Sequence, residues 1–271
     1  MRSVLIALAL AAACASAPSS DPLNAFRYRP ERVPKPGTVV QYVKSNLDGS
    51  KPSLVSLYFA DHDDVEVSRS EAGTDESADV KAHLDWKRFI ADRLDTGALH
   101  PNGVREQRGT LTIGKDELVA SVDSFEQRLS SSVHPLYVYN FDLMALNVML
   151  PHLRNPQRDF TVAFVEPTFG VAEGAIVIRG RATAKYMDDE EIAGRRARRY
   201  HLSGPGLANS EAMLWVDAGD GLIDLVESPL PNNPDWNSFR LARRGGTTHM
   251  SWTEWDGFKR SHVGVGVGSM Q

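Results

Sequence analysis

The amino-acid sequence predicts a mainly β protein: a curved antiparallel sheet, open or half-closed into a barrel, around one main α-helix near 141–153. Three observations predict it. In most segments after residue 37 apolar side chains recur at every second position, the period of a strand with two faces. Turn residues punctuate those segments, as in Asn46-Leu47-Asp48-Gly49 and Gly114-Lys115-Asp116. One stretch, Phe141–Leu153, is apolar almost all round, and a helix of that kind is normally buried, most simply against the concave face of a sheet.

The chain opens with a short basic start, Met1-Arg2-Ser3, then an uninterrupted apolar stretch, Val4–Ala13, then the small residues Cys14–Ala17. That order reads as a secretory signal. The apolar stretch falls well short of the ~20 residues that span a bilayer, and no later segment reaches that length. Two processing routes compete. Ordinary signal peptidase finds Ala13-x-Ala15 and would cut before Ser16. Leu10-Ala11-Ala12-Ala13-Cys14 resembles a bacterial lipobox, with Ala11 where Leu or Val is usual, and leaves Cys14 as a lipidated first residue. The short signal and the Ser/Pro-rich stretch that follows favour lipidation. The expected organisation is a signal peptide over 1–15, a tether over 16–36 and a single β-rich domain over 37–271. The expected location is the periplasm, with the outer membrane touched only through the lipid on Cys14.

Cys14 is the only cysteine, so an internal disulfide and a Cys-type zinc site are excluded. Stability must come from core burial, and the roughly 250 residues expected after signal removal are enough to bury about 75% of their unfolded surface. Thirty basic residues stand against 35 acidic ones, mixed along the chain, without the clustered basic face that nucleic acid requires.

Taken in order, Pro18, Pro22, Pro30, Pro34 and Pro36 keep the arm irregular. Strands are expected at Thr38–Val43, Ser53–Phe59 and Val65–Ser68, with Glu71–Ser77 as a polar connection. Val80–Leu99 alternates through Val80, Ala82, Leu84 and Trp86, so it is taken as strand, with a break at Asp95-Thr96-Gly97. Thr110–Ile113 and Glu117–Val122 form a hairpin, and Phe125–Leu129 and Leu136–Tyr139 continue the ladder. The helix follows, with Asn140 and Asp142 suited to its start and Pro151 to ending or kinking it. Strands resume at Phe160–Val165, Ile176–Arg179, Thr183–Met187, Arg198–Leu202, Met213–Asp217, Leu222–Glu227 and Phe239–Ala242, with Met250–Trp252 and Val263–Val267 as further candidates. Asp188–Glu191 opposes Arg195–Arg199 across Ile192-Ala193-Gly194, so that charge run reads as a solvated hairpin of cross-strand pairs.

Phe141-Asp142-Leu143 opening a helix, the returning strand Phe160–Val165, then Ala193–Tyr200 and Leu214–Ile223 together resemble a group of uncharacterised bacterial periplasmic proteins with an open β-sheet wrapped round a helix. Those in turn resemble the carriers of the outer-membrane lipoprotein-localisation pathway. The resemblance covers residues 135–245 or so; the first hundred residues depart from it. It implies a fold and a compartment, and no activity.

Motifs with chemistry in them are scarce. No two of the eight histidines have local ligand spacing, and His-Glu-x-x-His is absent. Asp61-His62-Asp63-Asp64 lacks the glycine and distal glutamate of a calcium loop and reads as a turn. There is no Gly-x-Ser-x-Gly elbow. Glu117 with Glu126 are read as strand neighbours rather than a catalytic dyad. Gly264–Gly268 has too little chain after it for the helix that a phosphate loop needs. No cofactor and no metal is expected. The aromatics read as core, with an apolar cavity under the open sheet as the competing role. Its expected lining is Trp86, Tyr137, Tyr139, Phe141, Leu146, Met149 and Trp215. Two functions follow: a lipoprotein that binds an apolar or lipid envelope molecule or an envelope protein partner, or a hydrolase or transferase acting on envelope glycan or lipid. Converging titratable groups in a cleft would favour the enzyme, an apolar cavity the binder.

Overall fold

The computed structural model describes residues 21–122, 125–167 and 176–267; Cys14 and the expected signal peptide over 1–15 lie outside them. Strict alternation gives strands, and strands pair with whatever follows them. β1 (Thr38–Ser45), β2 (Ser53–Phe59), β3 (Asp64–Glu71), β4 (Ser77–Asp85), β5 (Ile90–Leu99), β6 (Arg105–Ile113), β7 (Glu117–Val122) and β8 (Phe125–Ser130) form a meander of antiparallel hairpins. After β9 (Leu136–Val138) and the helix α1 (Met144–Met149), a second meander runs through β10 (Phe160–Pro167), β11 (Ile176–Ile192), β12 (Arg195–Ser203), β13 (Ala212–Asp217), β14 (Ile223–Ser228) and β15 (Phe239–Arg243). β15 pairs with β1 and joins the two into one open, curved sheet, whose edges are β8 and β9. The short β16 (Thr248–His249) adds to the start of β1, and α2 (Trp252–Ser261) follows it. The curl brings the ends of the sheet near each other: the Ile176 N–H donates to the Gln127 side chain of β8 at 2.9 Å.

The half-barrel around a helix is as the sequence predicts, with five differences. β9 pairs with β10 in parallel, so the sheet is mixed rather than wholly antiparallel. Asp95–Gly97 lies inside β5, where it takes up a bulge; the turn falls at Trp86–Phe89 instead, with Phe89 at φ 53°. β11 is one long strand in place of two. The other two concern the helices.

Phe141–Leu143 does not belong to the helix. Asp142 and Leu143 are left-handed, at φ 50° and 57°, and Leu143 stands at the cap of α1 without a side-chain cap bond. The physical reason is charge: the Asp142 carboxylate is drawn to Lys44 of β1, 2.8 Å away, rather than to the helix amides. At the other end Pro151 tightens the helix into a 3-10 turn at Leu150–His152. Every residue of α1 is buried. Asn147 pins it: its side-chain amide donates to the Tyr42 hydroxyl at 2.8 Å and its carbonyl accepts the Ile223 N–H at 2.7 Å. Around it the inward positions of both meanders, among them Leu57, Val65, Leu84, Phe164 and Leu214, make a continuous core.

Met250–Trp252, expected as strand, instead begins α2, and Val263–Val267 forms no strand. Ser251 caps the helix in a reciprocal box with Glu254. α2 lies on the outer face of the sheet: Trp255 is fully buried, stacks on Tyr58 at 4.9 Å and donates its indole N–H to Glu66 at 2.8 Å. One turn on, Lys259 reaches Glu66 at 2.8 Å and Asp79 at 2.9 Å. Those carboxylates point outward from β3 and β4, and the helix neutralises them as it covers them.

The arm is docked over its described part. Phe26 plugs the end of the barrel opposite Leu153, stacked on Phe89 at 5.3 Å and edge-on to Phe160. Arg27 N–H and the Arg154 N–H exchange bonds between the arm and the chain after α1, to His152 O and Ala25 O respectively. Residues 21–36, which the sequence suggests as tether, therefore close one end.

Candidate functional site

The opposite end is open. There, the inward positions of β3, β4, β5 and β6 stop short of the strands across the barrel, because α1 begins late and the Phe141–Leu143 turn leaves a gap beside it. The result is a cavity of about 330 Å³ walled by Val67, Val80, Leu94, Leu111, Val138 and Phe141. Its size is at the lower end of the range for small-molecule sites, ~300–1,000 Å³. It opens into a polar vestibule of about 620 Å³ whose rim is set by the turns after β1, β3 and β14, with Lys51, Glu71, Glu76, Asp235 and Trp236 among its residues. Arg69, Ala78, Gly97, Arg108 and Asn233 belong to both chambers. Gly97 is required where it stands: a Cβ there would meet Glu106 O at 2.7 Å.

The charges at the junction are ordered. Asp142 is buried, ion-paired to Lys44 at 2.8 Å, and accepts a hydrogen bond from Asn232 at 2.8 Å. Burial alone would raise its pKa, but Lys44 and Arg69 outweigh that and hold the carboxyl below the usual range. Burial pushes Lys44 down to about 8, against the pull of Asp142, and its ammonium lies 4.5 Å from the Trp236 ring centre. Arg108 pairs with Glu76 at 2.9 Å and Glu106 at 3.2 Å, and Lys51 donates to Asp235 O. Arg69 differs. Its nearest acidic partners are Glu71 at 3.5 Å and Asp142 at 3.7 Å.

Of the aromatic and aliphatic residues expected to line a cavity, Phe141 does so. Tyr137, Leu146 and Met149 are fully buried in the core, the Tyr137 hydroxyl without a hydrogen-bond partner among the described residues. Tyr139 is buried too, its hydroxyl donating to Leu230 O at 3.0 Å. Trp86 sits at the closed end, its indole N–H on Asp63 at 2.9 Å. Trp215 is on the convex face with Ala197 and Leu225, and donates to Glu190 at 3.0 Å. The expected lining is thus spread over four regions. What the sequence did not indicate is the wall itself, Val67, Val80, Leu94 and Leu111, and the arginine between the chambers. The alternation that places these four inward was legible; which inward residues lack a partner across the barrel was not.

No histidine lines either chamber. The Asp61–Asp64 cluster is a turn in which Asp61 accepts from the Asp63 and Asp64 N–H groups. Arg128 bridges Glu117 and Glu126, at 3.2 Å and 2.9 Å. The charged hairpin pairs as read, Asp188 opposite Arg199 and Glu191 opposite Arg196. Among the described residues no group of His, Cys, Asp and Glu is arranged to hold a metal, and no helix is long and apolar enough to cross a membrane.

No family model matches the chain, and no curated protein matches it. Solved structures similar to it include a LolA superfamily protein from Nitrosomonas europaea, at 11% identity and a TM-score of 0.25, over 82% of this chain and 92% of that one. Another is a domain described as an outer membrane lipoprotein-sorting protein from Vibrio parahaemolyticus, at 10% identity and a TM-score of 0.26, over 85% and 94%.

Proposed function

We propose that this is an exported envelope protein that binds an apolar molecule in the mouth of its half-barrel, held to the outer membrane by a lipid on Cys14. The observation that carries the reading is the cavity wall. Six apolar side chains from five separate segments converge on about 330 Å³ of space, and α1, which fills the rest of the barrel, does not reach it. A small domain that leaves such a surface uncovered forgoes the burial its own side chains would otherwise supply, and a ligand restores it. Each methylene that enters contributes about 0.8 kcal/mol. A single alkyl chain of modest length suits the volume. The signal-like start and the Ser/Pro-rich segment after Cys14 support the location among lipids.

Titration with a fluorescent fatty acid tests the reading. Wild type should show saturable binding, and Val80→Trp, which fills the wall from β4 without touching α1, should weaken it at least tenfold while leaving the circular dichroism unchanged. Saturable binding that survives Val80→Trp intact would place the ligand elsewhere, and no binding by folded wild type would end the reading.

A further inference from the structure

The apolar chamber explains a tail and says nothing of what the tail is attached to. The junction does. The two carboxylates nearest it each have a close cation: Asp142 has Lys44 at 2.8 Å, and Glu76 has Arg108 at 2.9 Å. The cations are likewise engaged, with one exception. Arg69 lies inward on β3, two residues above Val67 of the apolar wall, and belongs to both chambers. Its guanidinium has no acidic oxygen nearer than 3.5 Å, and that one is on Glu71, a half-exposed side chain free to swing into solvent. Its other neighbour, Asp142 at 3.7 Å, has a closer cation in Lys44 at 2.8 Å, so it shares its charge between the two. Elsewhere in the sheet arginines are matched tightly: Arg105 to Asp79 at 2.6 Å, Arg195 to Asp224 at 2.7 Å, Arg199 to Asp188 at 2.7 Å. A guanidinium is a planar fork that takes a carboxylate or phosphate through two parallel hydrogen bonds.

We infer that Arg69 receives an anionic group, carboxylate or phosphate monoester, at the end of the alkyl chain that fills the apolar chamber. The ligand class is then a single-chain anionic amphiphile, tail against Val67, Val80, Leu94 and Leu111, head on Arg69 at the threshold of the vestibule. The inference rests on the binding reading above. Binding displaces Glu71 from Arg69 and leaves the Lys44–Asp142 pair in place. Charge-assisted bonds to a partly enclosed guanidinium favour the anion over an uncharged head of equal chain length by about tenfold or more.

The experiment is displacement of the bound fluorescent probe by three ligands of one chain length: a fatty alcohol, the corresponding fatty acid and the corresponding alkyl phosphate. Inorganic phosphate and acetate are run as competitors. In wild type both anions should outcompete the alcohol at least tenfold, and the two free ions should displace nothing at millimolar concentration. In Arg69→Gln the preference for anion over alcohol should fall to within about twofold, and Arg69→Lys, which keeps the charge and loses the fork, should lie between. Equal binding of alcohol and anions by wild type overturns the inference and leaves the binding reading intact; that arm needs no variant to fold. An anion preference that persists in folded Arg69→Gln overturns it as well. Displacement by free phosphate alone would assign the site to a small anion rather than to an amphiphile. If none of the chains binds, the binding reading fails with it.

Discussion

Asn147 is the place where one side chain ties the helix to both meanders, and its replacement has a calculable cost. Asn147→Leu keeps the volume of a fully buried side chain and removes its hydrogen bonds to two strands, to the Tyr42 hydroxyl at 2.8 Å and from the Ile223 N–H at 2.7 Å. Neither orphan can turn to water. Each buried polar group left unpaired costs roughly 1–3 kcal/mol, so with two of them the variant should lose about 2–6 kcal/mol. In a chain of this size each kcal/mol moves the melting midpoint by about 2–4 °C, which puts the expected fall near 10 °C. Urea unfolding followed by tryptophan fluorescence measures the loss directly. A double-mutant cycle with Tyr42→Phe sharpens it. In the Asn147→Leu background that second change removes an orphan hydroxyl and should cost almost nothing, giving a coupling of about 1 kcal/mol or more. A loss below about 1 kcal/mol for Asn147→Leu, or additive single changes, would mean that α1 is held by apolar packing alone and that this account of the helix is wrong.

Two further predictions follow from His152 and from Cys14. His152 is fully buried, accepts the Arg29 N–H at 3.1 Å, and is driven down to about 4 by burial and by Arg29 and Arg32. The unfolded histidine takes a proton near pH 6.5 that the folded one refuses, so stability is lost as pH falls from 6.5 to about 4, by roughly 3 kcal/mol at full extent. Urea midpoints of wild type and His152→Gln compared at pH 7 and pH 4.5 test this; an equal fall in both would assign the acid sensitivity to other groups. Replacing Cys14 with Ala should move the expressed protein from the detergent phase to the aqueous phase in a partitioning assay, and wild type that is already aqueous with Ser16 as its first residue would refute lipidation.

The path from sequence to site was legible in part, and particular residues show where it stopped. Ser251 and Glu254 spell the capping box that starts α2, and Trp255 and Lys259 stand one turn apart on its buried side. Those signals are local and lie within one turn of the chain. Asp142 misled for the opposite reason. An aspartate ahead of an apolar run suits a helix cap, but Lys44, nearly a hundred residues earlier in the chain, takes its carboxylate at 2.8 Å, and an ion pair in the interior outweighs a cap bond.

By itself the sequence determined what depends on near neighbours: the strands, whose period of two is visible within six residues, the hairpins, whose turns lie between the paired segments, and a greasy helix that something must cover. It also determined the lack of any disulfide within the chain, which has one cysteine. The tertiary structure alone decided which inward side chains meet a partner. The curl of the sheet brings β3–β6 opposite a helix that begins three residues later than its apolar pattern does, and the shortfall is the cavity. It also decided that Arg69, one arginine among many in the sequence, stands at that cavity's threshold with its nearest acid 3.5 Å away, because partnership between charges is set by distances that no spacing along the chain records.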